Sequence, residues 1–113
     1  MSYNLFLDDI RNPSDAATYL PHLMTLYENN EWVIVKSYKK FVNCIKTKGV
    51  PRVVSVDHDL GDANAKSGYD AVKWLFEYIR TNEIKEKPKV VCHSMNPVGR
   101  QNIENLVIKQ STQ

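Results

Sequence analysis

Cysteine is scarce: the 113-residue chain has two, Cys44 and Cys92. Two cannot build a disulfide framework, and the absence of a Cys-x-x-Cys excludes a zinc ribbon or a thioredoxin-type motif. The expected state is a pair of reduced, buried thiols in a cytoplasmic protein. Glycine (4) and proline (5) are also sparse, which excludes collagen-like and low-complexity classes. No apolar run approaches the ~18 residues of a membrane span. No basic segment followed by an apolar one opens the chain, so neither a secretory leader nor a membrane partner is expected. No Gly-x-Gly-x-x-Gly and no Walker loop occur, so use of a nucleoside triphosphate or a dinucleotide is unsupported.

What is present is ordinary for a soluble globule: 42% hydrophobic and 25% charged residues. The length suits one domain over residues 1–113, burying about two thirds of its unfolded surface without staples. Net charge is +2, but its distribution is uneven. Asp8, Asp9, Asp57, Asp59 and Asp62, five of the 13 acidic residues, sit in two short clusters. The rest of the chain is basic. An acidic spot on a basic body suits an anionic substrate that reaches a metal, although Lys-rich faces are usually only solvated.

Apolar runs at Asn4–Leu7, Trp32–Val35, Arg52–Val56 and Lys89–Cys92 read as four strands. Ser14 or Asp15 is expected to cap a helix after the first strand. Residues 16–30 carry a weak pattern: Pro21 breaks any long helix and Asn29-Asn30 reads as a turn. Ser37 caps a helix with Tyr38, Phe41, Val42 and Ile45 on one face, ended by Gly49 and Pro51. Ser67-x-x-Asp70 resembles a capping box opening a helix with an inward stripe of Val72, Leu75, Phe76 and Ile79. Asn96-Pro97 is a cap followed by proline at the first helical position. That last helix is expected to run to about Lys109 with Ile103, Leu106 and Val107 inward, leaving a frayed tail.

Strands that alternate with helices and read as continuous apolar runs indicate a parallel sheet covered on both faces. Such sheets place ligands beyond the carboxyl ends of their strands. Three strand ends here carry reactive groups: Asp8-Asp9, Asp57-His58-Asp59 and His93-Ser94. Topology should gather them at one edge.

Asp8, Asp9, Asp57 and Asp59 at close quarters cannot all stay ionised without compensation. An oxygen-rich set on short side chains suits a hard divalent cation, Mg²⁺ or Mn²⁺. Two histidines joining them would shift preference toward Mn²⁺, Fe²⁺ or Zn²⁺. Adjacent strand residues point to opposite faces, so Asp8 and Asp9 meet one ligand only if the chain turns there. For the same reason Asp57 and Asp59 can share a side while His58 faces away. His58 and His93, flanking a phosphate, could act as base and acid in P–O cleavage; His22 reads as surface. Arg11 and Arg100 could fork onto a phosphate, and the helix start near Asn96-Pro97 directs free N–H groups toward Ser94. Tyr69, Trp74 and Tyr78 read as core or partner-facing rather than a base-stacking platform, and no stable DNA binding is expected.

The Asp8-Asp9 pair, Asp57 ending the third strand and Ser94 after the fourth resemble response-regulator receiver domains. In that family the acidic pair binds Mg²⁺ and the strand-three Asp accepts a phosphoryl group. The resemblance implies a small, doubly wound, flavodoxin-like sheet in order 2-1-3-4. It departs in lacking the fifth strand and its Lys, and in a longer loop from Asp59 to Gly68. Leu7-Asp8-Asp9-x-Arg11-x-Pro13, Asp57-His58-Asp59-Leu60-Gly61 and His93-Ser94-x-Asn96-x-x-Gly99-x-x-Asn102 are similar to the three motifs of a narrower group, the cyclic-phosphate processing receiver-like domains. That resemblance implies a metal-dependent phosphoesterase acting on a cyclic nucleotide or the 2′,3′-cyclic phosphate end of an RNA. Asp57, His58 and His93 would be catalytic, Arg11, Ser94, Asn96 and Arg100 would bind phosphate, and Asp8, Asp9, Asp57 and Asp59 would hold metal. The rivals are a phosphoacceptor receiver modified on Asp57 and a non-catalytic interaction module.

Overall fold

The computed structural model describes residues 3–61 and 66–111. Asp62 and the final Thr112-Gln113 lie outside the described residues. The four expected strands form as β1 (Asn4–Leu7), β2 (Val33–Val35), β3 (Val53–Val56) and β4 (Lys89–Cys92). All pairings are parallel, and the order is β2-β1-β3-β4. Among the described residues there is no fifth strand, so β4 forms an edge.

Helices cover both faces, and alternation along β1 divides the core between them. Phe6 packs with Ala16, Ala17, Leu20 and Tyr27 under α1 (Pro13–Tyr19) and α2 (Met24–Glu28). Leu5 and Leu7 pack the other way, against α3 (Tyr38–Lys48), α4 (Gly68–Thr81) and α5 (Pro97–Ser111). Phe41, Ile45, Leu75 and Ile103 are fully buried there. Each such side chain contributes about 1.5–3 kcal/mol of transfer free energy. Of the expected α4 stripe, Val72, Leu75 and Ile79 are buried and Phe76 is half-buried.

Helix starts follow local chemistry. Ser67 and Asp70 close the expected capping box on α4, and Ser37 caps α3 by accepting from the Lys40 N–H at 3.2 Å. The cap of α1 is Asn12 rather than Ser14 or Asp15. Pro13, with its preset φ and no N–H to lose, takes the first helical position and moves the start upstream. Asp15 instead closes the box from the third position. The weakly patterned stretch resolves into the end of α1, a 3₁₀ turn at Pro21–Leu23 and α2. Pro21 stops α1, since its nitrogen cannot donate to the preceding turn. Three other boundaries move: β2 and β3 each start one residue later than expected, and α5 runs on to Ser111. Among the described residues no helix is long and apolar enough to cross a membrane.

Candidate functional site

Strand register builds the site. Leu7 pairs with Val56, and Val56 with Cys92. The ladder continues one residue beyond each strand: Asp8 N–H donates to Val35 at 3.1 Å, Asp57 N–H to Leu7 at 2.9 Å and His93 N–H to Val56 at 2.9 Å. Asp8, Asp57 and His93 therefore stand level at the carboxyl rim, from three strands far apart in the chain.

Asp8 turns the chain. Its Oδ1 accepts from the N–H groups of both Ile10 and Arg11 at 2.9 Å, closing a tight local turn of the kind short acids favour. Asp9 is thereby brought round beside Asp8 instead of across the sheet. Gly61 lets it stay there: at φ +89° it has a backbone shape that other residues rarely adopt, and a Cβ on it would lie 3.0 Å from Asp9 Oδ2. Asp8, Asp9 and Asp57 each present a carboxylate oxygen within 4.8 Å of the others.

This cluster opens into a cavity of about 310 Å³, which Arg11, Asp59, Ser94 and Asn96 also line. Asn96 caps α5 by accepting from the Gly99 N–H at 3.1 Å, so the helix start faces the same space. Arg11 is steadied by Tyr19, its guanidinium 5.1 Å from the ring centroid. Tyr19 in turn donates to the backbone oxygen of His93 at 3.3 Å.

Electrostatics differ across the cluster. Burial pushes the Asp57 pKa up, the charge on Asp8 pushes it further, and His93, Ser94 and the His58 N–H oppose this only in part. Burial also acts against the charge on Asp8. There the hydrogen bond from His93 and those from the N–H groups of Arg11 and Ile10 prevail, and the pKa is lowered. Two buried carboxylates facing one another, one held back from ionising, are what a cation between them would relieve. The donors are all oxygens from short side chains, which fits Mg²⁺ or Mn²⁺ better than softer ions.

Three of the expected site residues stand elsewhere. His93 is fully buried beneath the acids, its ring stacked on Phe6 at 4.3 Å. Its Nε2 lies 2.9 Å from Asp8 Oδ2 and its Nδ1 2.7 Å from Ser55 Oγ. Both ring nitrogens are engaged, so it does not flank a ligand in the cavity. His58 lines a separate cavity with Tyr69 and Asn102. The two imidazoles therefore do not face one phosphate. Arg100 lines a third cavity, between β4 and the 3₁₀ turn, because its place on α5 faces away from the acids. Asp59 stands at the mouth of the acidic cavity, outside the three-carboxylate cluster. It binds His58 Nδ1 at 3.0 Å and Asn96 Nδ2 at 3.3 Å.

Tyr27 and Ser55 also belong to the site's surroundings, though strand and helix patterning does not single them out. Tyr27 Oη lies 2.8 Å from Ser55 Oγ, which continues to His93. A lone serine inside the Val-rich β3 run was the available signal.

The profile of the cyclic-phosphate processing receiver domain matches residues 3–109. The chain belongs to this family. Among solved structures, it is similar to the signal receiver domain of a protein described as a Luxo repressor from Vibrio parahaemolyticus. That match has a TM-score of 0.54 and 17% identity over 97% of this chain and 73% of that one. A yeast Spc42 trimeric coiled-coil segment fused to another structure gives 0.53 and 14% identity over 93% and 62%. At 17% identity the first of these likenesses shows the receiver fold and nothing finer. No curated protein matches. The Phe41–Trp74 edge contact at 6.4 Å and the Trp74–Tyr78 stack at 4.9 Å tie those α4 aromatics into the packing of this receiver-like domain.

Proposed function

We propose that this receiver-like domain is a metal-dependent phosphoesterase that opens a cyclic phosphate, on a cyclic nucleotide or on the 2′,3′-cyclic end of an RNA, in the cytoplasm. One observation carries the reading: Asp8, Asp9 and Asp57 bring three oxygens within 4.8 Å at a cavity that also holds Arg11, Ser94 and Asn96. Acids that close invite a divalent cation, and the neighbouring donors suit the oxygens of a phosphate.

Asp8, Asp9 and Asp57 would hold Mg²⁺ or Mn²⁺, which when bound neutralises phosphate charge and activates water. Arg11, held in place by Tyr19, offers a fork of N–H donors to the non-bridging oxygens. The Ser94 hydroxyl lines the same cavity, whereas the Asn96 and Gly99 N–H groups at the start of α5 are already taken by Ser94 Oγ and Asn96 Oδ1. Asp59 orients Asn96 and His58 from the mouth. His93 serves beneath the site by holding Asp8. Among the described residues neither imidazole lines this cavity, so the leaving oxygen takes its proton from water.

The test is turnover of a panel of cyclic mono- and dinucleotides and cyclic-ended RNA with Mg²⁺ or Mn²⁺. Ring opening should occur with at least one substrate, and Asp57→Asn should abolish it. No turnover across the panel would remove the reading. A stable adduct with a beryllofluoride mimic, without turnover, would point instead to a phosphoacceptor.

A further inference from the structure

A chain of polar groups runs through the otherwise apolar layer under α2. Tyr27 Oη lies 2.8 Å from Ser55 Oγ, Ser55 Oγ 2.7 Å from His93 Nδ1, and His93 Nε2 2.9 Å from Asp8 Oδ2. Tyr27, Ser55, His93 and Asp8 are all at most 3% exposed. The chain starts on α2, crosses β3 and ends on the innermost acid of the cavity. None of its first three members touches that cavity.

Hydrogen-bond accounting gives it a direction. The Asp8 carboxylate only accepts, so Nε2 must carry a proton and donate. Ser55 then donates to Nδ1 or accepts from it. If Ser55 accepted from Nδ1, its own proton would turn to Tyr27, and the Tyr27 proton would lose its partner. Among the described residues Ser55 is the hydrogen-bond partner of the Tyr27 hydroxyl. A buried O–H left unpaired gives up its hydration with nothing in return. With Tyr27 donating to Ser55, Ser55 to Nδ1 and Nε2–H to Asp8, every donor in the chain is used.

We propose that Tyr27 and Ser55 are positioning residues: they hold the ring proton of His93 on Nε2 and thereby fix the aim of Asp8 Oδ2 toward a bound cation. The stack on Phe6, with planes 8° apart, sets the ring plane, and the hydroxyls set which nitrogen donates. In metal sites generally the partner one step behind a ligand, here His93, does this work, and its loss weakens metal binding about 10–100-fold; Ser55 and Tyr27 act on that partner from two and three steps behind Asp8. The proposal rests on the reading of the acidic cluster as a cation site.

The experiment measures two things. Nitrogen-15 spectra of the metal-free chain, labelled on histidine, report which ring nitrogen of His93 carries the proton. Manganese titration reports affinity in the unaltered chain, Ser55→Ala and Tyr27→Phe. The expected result is a proton on Nε2 only. In Ser55→Ala the Nδ1 signal should move toward that of an unbonded ring nitrogen, with Mn²⁺ binding weakened about tenfold. Tyr27→Phe keeps the shape of the ring and should weaken binding less. A ring proton on Nδ1 alone, or on both nitrogens, overturns the proposal, as does unchanged Mn²⁺ affinity in both variants. If the unaltered chain binds no Mn²⁺, the reading of the acids as a cation site fails, and the positioning role fails with it. That failure is distinct from tight binding that ignores the variants.

Discussion

The imidazole of His58 rests on the α-carbon of Gly99. A Cβ at position 99 would fall 2.3 Å from His58 Cγ, well inside contact distance. The β3–α4 loop and α5 are locked at this point, and Asp59 and Asn96 meet just beside it. Gly99→Ala should lower stability by about 1–3 kcal/mol through overpacking. Most of that loss should vanish in the background of His58→Ala, where the ring is gone. Urea unfolding of the four chains in this cycle measures it; additive losses would refute the contact.

Asp57 and Asp8 predict opposite responses to pH. The Asp57 pKa is raised in the folded state, so between the unfolded value and the folded one the native chain binds more protons. Its contribution is therefore favourable below the unfolded pKa and is lost as pH rises through the folded value. For Asp8 the folded pKa is lowered. Its contribution is present above the unfolded pKa and is lost as pH falls through the folded value. At neutral pH without metal, Asp57→Asn should raise Tm and Asp8→Asn should lower it. Mg²⁺ or Mn²⁺ should raise the Tm of the unaltered chain at neutral pH by mass action, and the gain should shrink toward pH 4. A Tm lowered by Asp57→Asn in chelator would contradict this.

Removing the His93 ring should be costly. His93→Ala opens a cavity against Phe6 and leaves Asp8 Oδ2 and Ser55 without their partner. A loss of about 3 kcal/mol or more is expected from cavity and unpaired polar groups together. Calorimetry measures it, and a loss under about 1 kcal/mol, the ordinary effect of a mild substitution, would show that the buried contacts carry little.

The two candidate arginines should separate. Arg11 lines the acidic cavity and Arg100 does not. With a turned-over cyclic phosphate, Arg11→Lys should raise KM about tenfold, the loss of a bidentate charge-assisted contact, with little loss of fold. Arg100→Ala should leave KM unchanged. Equal effects would mean that the phosphate lies elsewhere.

Burial pushes the Cys92 thiol up to about 11. In the folded chain it should resist alkylation at pH 8, reacting only on unfolding, because the thiolate is the reactive form. Mass spectrometry after limited treatment tests this, and rapid modification of Cys92 would show that β4 opens readily.

The continuous Val and Leu runs announced strands buried on both sides, and Ser67-x-x-Asp70 and Asn96-Pro97 announced helix starts, because those signals act within a few residues. The stretch from 16 to 30 did not declare itself. Its α1, 3₁₀ turn and α2 are each too short for a period to show, and they are held by packing on Phe6 and Trp32. The three acids were legible as a cluster, since parallel register delivers Asp8 and Asp57 to one rim whatever their separation in the chain.

Depth was not legible, and direction only in part: strand alternation already allowed His58 to face away from Asp57 and Asp59, as it does. His93 and His58 both follow strand ends, yet one ring lies buried across β3 and the other packs on α5. The sequence by itself determined which residues reach the rim, through strand ends, caps and parallel pairing. Only the tertiary structure decided which side each then faces. That choice depends on where α2 supplies a hydroxyl, where Gly99 leaves room for a ring, and which neighbours satisfy a buried polar atom, and these partners come from segments remote in the chain.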